Sequence, residues 1–133
     1  MSPEDGELLA KSQDLLEKVW KHGRHEVATA LRTADGAVHT GVHVEGSCRR
    51  SSICAEGVAL GTVLASGSAL DVVSVVSVQI KPADRFRVIA PCGVCRELIS
   101  DYAPDARVWV TAGEEMFAYA AIDLLPEKSR RVW

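Results

Sequence analysis

The chain has 133 residues and a mass of 14.3 kDa, the size of one ordinary domain, and no internal repeat or Gly/Ser-rich linker divides residues 1–133, so a single domain is expected. Its 47% apolar and 25% charged residues are those of a soluble globular protein, and a net charge of −3 argues against a broad basic surface for duplex nucleic acid, leaving a small-molecule partner. No apolar run reaches the roughly 18 residues of a bilayer span, and the acidic start is unlike a signal peptide; a cytoplasmic location and reduced cysteines are therefore expected.

Leu8, Leu9, Leu15, Leu16, Val19 and Trp20 form the apolar stripe of an amphipathic helix over 5–21, closing near Gly23. Two β-branched runs, 27–33 and 38–44, flank Asp35-Gly36, a strong hairpin signal. Residues 54–65 are apolar on nearly every side, so a helix there is expected to be buried, with Gly67 ending it. The valine-rich run 72–80 reads as a strand covered on both faces, and 81–87 as a polar loop. A helix starts after Pro91 and runs through Tyr102, then strands follow at 107–111 and 117–120 around a turn at Gly113. The sum is an α/β protein, a three-layer α/β/α arrangement with helices on both faces of a five-stranded mixed sheet.

Two clusters carry chemistry: Cys54-Ala55-Glu56 and Pro91-Cys92-Gly93-Val94-Cys95, each opening an expected helix. Thiols at helix N-termini ionise more readily because free backbone N–H groups favour negative charge, which prepares them to bind metal. Cys54, Cys92 and Cys95 around a tetrahedral Zn²⁺ leave one position open for water, the mark of a catalytic rather than a structural site. Three thiolates blunt the acidifying effect of the metal, so a nearby base and a positive charge are wanted, with Glu56 and Arg96 as candidates. Glu56, two residues beyond Cys54, suits a proton shuttle. A lone C-x-x-C also suits a structural zinc half-site or a redox pair; it is the upstream Cys-Ala-Glu that favours catalysis. Cys48 lacks a partner at ligand spacing, and His22 and His39 read as surface residues.

These motifs, with Val27 to Leu31, Gly41 to Glu45, Ala90 to Glu97 and Leu124-Leu125-Pro126, give the chain a resemblance to the small three-cysteine cytidine deaminases over most of its length. The resemblance implies the cytidine deaminase-like fold, one Zn²⁺ per chain and hydrolytic release of ammonia from a cytosine nucleoside. It further implies Glu45 at the ribose hydroxyls, the Ala55 N–H at the pyrimidine carbonyl, the Ala90 carbonyl at the amine, and a homotetramer. His43 stands where these enzymes usually have asparagine, His25 where they have phenylalanine, Arg49 where tyrosine is common, and Gly57 where many have arginine. The missing arginine and the terminal Val132-Trp133 resemble the related blasticidin S deaminases, which usually lack an acid matching Glu45.

His25 and His43 are thus either hairpin histidines or substrate contacts, Arg49 either a solvated loop residue or a cationic rim, and Trp133 a residue able to stack on a heterocycle. Three functions follow: a cytidine or deoxycytidine deaminase, a deaminase of a modified cytosine nucleoside such as a blasticidin-like antibiotic or of another amino-heterocycle, or a zinc-containing nucleoside-binding protein without activity.

Overall fold

Helix α1 (Pro3–Val19) starts where Ser2, in extended conformation, accepts the Asp5 amide on its hydroxyl, with proline in the first turn. This computed structural model describes residues 1–80 and 85–132, and for Arg49 the backbone alone. The hairpin forms from β1 (Val27–Thr33) and β2 (Val38–Val42), its turn closed by Gly36 at φ 87° and by Asp35, whose carboxylate accepts the Ala37 amide. Beyond β2 the chain loops out and returns through a Val44–Ile53 bridge, which delivers Cys54 to the start of α2 (Ala55–Ala65). Gly67 at φ 82° follows that helix. Strand β3 (Val72–Ile80) is followed by the short β4 (Phe86–Val88), α3 (Gly93–Tyr102), β5 (Arg107–Ala112) and β6 (Glu115–Ala120).

The sheet runs β2-β1-β3-β5-β6, antiparallel except for the parallel β3–β5 pair, and β4 pairs with the end of β3 that β5 does not reach. The five expected strands all form, and β4 makes a sixth. It occupies part of the stretch read as polar loop, because three residues with two of them exposed carry too little pattern to announce a strand. Residues 81–84 of that stretch lie outside the described residues.

Side chains alternate across the sheet and define two cores. Leu8 and Leu16 of α1 meet Ala28, Ala30, Val76 and Val78 on one face; Ala59, Leu60 and Val63 of α2 and Cys95 and Ile99 of α3 meet Leu31, Val75 and Val108 on the other. The three layers are therefore as expected. Helix α2 is not enclosed on all sides, however: the sheet covers one flank only and Leu64 remains 55% exposed.

A buried carboxylate binds α1 to the sheet. Asp5 is 1% exposed and accepts Ser74 Oγ of β3 at 2.6 Å, Trp109 Nε1 of β5 at 2.8 Å, and Arg107 Nε of β5 at 3.2 Å. Burial opposes its charge, but the Arg107, Ser74 and Trp109 donors outweigh that and hold the carboxyl below its usual range.

Candidate active site

Two helices on the same face of the sheet begin at cysteines. Cys54 and Cys92 are the N-caps of α2 and α3, each in extended conformation and with no side-chain capping bond, while Cys95 lies in the first turn of α3 and is buried. The Pro91-Cys92 corner is held in place from behind: the Ile89 amide bonds to the Ser77 carbonyl of β3, and Arg96 donates to the carbonyls of Pro91 and Leu124. Arg96 was expected to supply positive charge to the site; its guanidinium also braces this corner.

The opposite corner depends on Gly41 of β2. A Cβ there would overlap the Ala55 carbonyl and the Ala59 backbone, so the first turn of α2 lies directly on the strand.

The three sulfurs lie within 4.8 Å of one another, with Cys54 and Cys92 Sγ 3.5 Å apart. Thiolates on a tetrahedral zinc, at about 2.3 Å from the metal, are separated by about 3.8 Å, so the cluster fits such an ion with little adjustment. The donor chemistry fits too. Burial pushes the Cys54 and Cys95 thiols up, with the neighbouring Glu56 carboxylate adding to it, whereas the Cys95 amide and the adjoining thiols hold Cys92 down despite its own burial. A bound cation offsets that mutual opposition and lets all three act as thiolates. Among the described residues no fourth Cys, His or carboxylate completes the group, and Cys48 is an exposed free thiol outside it.

Glu56 is 4% exposed and accepts Ser77 Oγ at 2.8 Å; Ser77 Oγ lies 2.7 Å from Thr29 Oγ1. Beside these groups opens a cleft of about 220 Å³. Cys54, Glu56 and Cys92 contribute its reactive wall, Val27, Ile89, Ala55 and Ala90 its apolar wall, and His43 and Ser52 its polar wall. A larger hollow of about 570 Å³ follows the segment from Ile122 to Arg130 and contains none of the cysteines.

The recognition residues form a network of their own. His43 Nδ1 accepts the Glu26 amide at 3.5 Å, which leaves the proton on Nε2, 2.7 Å from Glu45 Oε2; Ser52 Oγ donates to the same oxygen at 3.0 Å. The His43 bond and then the Ser52 bond keep the Glu45 carboxyl below its usual range. His25 does not line the cleft; its ring Nδ1 lies 2.9 Å from the His43 carbonyl. Of the residues singled out from sequence, Cys54, Glu56, Cys92, Ala55, Ala90 and His43 meet at one cleft, Cys95 completes the sulfur cluster beneath it, and Glu45 joins through His43. The Arg49 side chain and Trp133 fall outside the described residues. Ser77, Thr29 and Ser52 were not anticipated; the first two left one trace, a hydroxyl interrupting a run of Val and Ala in a buried strand.

The sequence matches the family described as cytidine and deoxycytidylate deaminase zinc-binding region over residues 2–111. It is 33% identical to the blasticidin-S deaminase of Bacillus cereus over 98% of this chain and 96% of that one. The cytidine deaminase of Halalkalibacterium halodurans is 33% identical over 67% of this chain and 64% of its own. Among solved structures, cytidine deaminase from Burkholderia pseudomallei superimposes with a TM-score of 0.77 and 29% identity, covering 96% of this chain and 98% of the other.

Proposed function

The chain belongs to the cytidine and deoxycytidylate deaminase family, and on that premise we propose that it is a zinc-dependent hydrolase that converts a cytosine nucleoside to its uracil form with release of ammonia. The observation that carries the reading is the meeting of three sulfurs with a buried carboxylate at one cleft between two helix N-termini. In this reading Cys54, Cys92 and Cys95 hold the zinc. When bound, the metal supplies a Lewis acid that makes water nucleophilic near neutral pH. Glu56, shielded from solvent, takes up a proton, delivers it to the ring nitrogen beside the reacting carbon, and serves the departing amine in turn. The Ala55 amide at the start of α2 faces the pyrimidine carbonyl and the Ala90 carbonyl orients the amine.

Glu56→Gln keeps the size of the side chain and removes its proton chemistry. The expected result is retained zinc and a fall in ammonia release of about a hundredfold or more; an unchanged rate would overturn the mechanism.

Cytidine and deoxycytidine are the first candidates. A modified cytosine nucleoside of the blasticidin type is the second, favoured by the His43–Glu45 pair, which commits to the protein a carboxylate that would otherwise serve ribose hydroxyls. An ammonia-release screen over cytidine, deoxycytidine, blasticidin S, free bases and aminopurines decides between them, and a protein that releases nothing would be a binder. The same reading makes the chain a single deaminase domain acting as a homotetramer in the cytoplasm. Its support is the exposed apolar residues Ile53, Leu64 and Val94 and four cysteines kept as free thiols.

A further inference from the structure

A side chain that carries protons must present one oxygen in a fixed place, and the first turn of a helix does not by itself fix a glutamate. We propose that Ser77, oriented by Thr29, is the positioning residue of Glu56; the inference rests on the deaminase reading above. Thr29 and Ser77 are direct partners in the β1–β3 ladder, so the strand pairing itself sets their hydroxyls face to face, 2.7 Å apart. Ser77 Oγ is also 2.8 Å from Glu56 Oε1. A serine hydroxyl has a single proton, and an ionised carboxylate can only accept. With the Ser77 proton on Glu56, the contact with Thr29 has one possible direction: Thr29 donates and Ser77 accepts.

Burial makes that direction persistent. Thr29 is 0%, Ser77 3% and Glu56 4% exposed, so bulk water does not compete for any of the three. The carboxylate plane is then set by two strands rather than by the helix that bears it, and the second oxygen is the one left to exchange protons at the cleft. Misplacing a reacting group by a fraction of its own length is costly in rate, whereas a residue that touches no substrate leaves binding nearly unchanged.

The test uses the zinc-loaded enzyme and cytidine or blasticidin S, whichever is turned over. Ser77→Ala is expected to lower kcat by about ten- to a hundredfold, with KM changed by less than about threefold and bound zinc retained. Ser77→Thr, which keeps the hydroxyl, restores most of kcat. Thr29→Val is slower than wild type, and adding it to Ser77→Ala costs nothing more, because Thr29 acts through Ser77. A wild-type kcat in Ser77→Ala, or losses that multiply in the double variant, would overturn the proposal. If Ser77→Ala does not fold, Thr29→Val carries the test alone, and an unchanged kcat there overturns it. Crystal structures separate this inference from the reaction: Glu56 adopts more than one carboxylate orientation in zinc-loaded Ser77→Ala, and a single wild-type orientation refutes the positioning role. Failure to release ammonia from any nucleoside refutes the deaminase reading instead.

Discussion

His43 uses both ring nitrogens on the protein, one on the Glu26 amide and one on Glu45, so it offers the cleft a surface rather than a donor. His43→Asn shortens the side chain and releases the Glu45 carboxylate. The expected outcome is a KM for cytidine lower by about threefold or more, the scale of one recovered hydrogen bond, with kcat changed less; steady-state kinetics measure it. Cys95→Ser, at the most enclosed of the three sulfurs, is expected to abolish tight zinc binding, read as metal content after dialysis. The cysteines and Glu56 were legible in sequence because their spacing is itself the motif. Ser77 and Ser52 were not, because each has its role through a partner 21 or 7 residues away that only the fold brings near. The bracing role of Arg96 was not legible for a related reason: its charge is visible in sequence, and the carbonyls that it bonds are not.

At the level of elements, the contact between α2 and β2 decides where Cys54 and Glu56 stand. Gly41→Ala would place a methyl group against the helix backbone, which has no flexible end to yield. A stability loss of about 1–3 kcal/mol is expected from the overpacking, together with weaker zinc binding, because the start of α2 must shift. Urea unfolding and a zinc titration on the same variant check both. Gly41 had been noted within a family-like segment, but a strand glycine alone does not say which helix approaches it. The hairpin and the first helix were readable from turn residues and periodicity, and α1 came out two residues early, capped by Ser2 and Pro3. The reading of α2 as a buried helix holds for one flank only, because an apolar composition reports that a helix is buried by something, and here the sheet of its own chain covers one flank.

For the molecule as a whole, the three-cysteine cluster joins the starts of α2 and α3, and the Asp5 cluster joins α1 to β3 and β5. Chelation of the metal is expected to lower the melting temperature and to make it depend on zinc concentration, as a scanning series with added metal would show. The Asp5 cluster sets the response to acid. Its folded carboxyl titrates below the usual range of an aspartate, so the folded state binds fewer protons than the unfolded one in the interval between the two pKa values. The stabilisation is complete above about pH 3.8 and lost as the pH falls through the folded value. Asp5→Asn should therefore cost about 1–3 kcal/mol near neutrality, with the gap to wild type narrowing in acid, measured as urea midpoints against pH. The Asp5 cluster left no local trace in the sequence, since the partners of Asp5 lie 69 to 104 positions away.

Both carboxylates that organise the protein rest on one strand. Ser74 holds Asp5 on one face of β3 and Ser77 holds Glu56 on the other, in a run that is otherwise almost all valine. Such a run would pair with its neighbours almost equally well if displaced, because each valine resembles the next. Shifted by one residue in either direction, however, β3 brings a valine under each carboxylate, which takes the Ser77 donor from Glu56 and leaves Asp5 with its β5 donors alone. The two serines thus act as a double check on alignment, since a slip of one residue removes both bonds together.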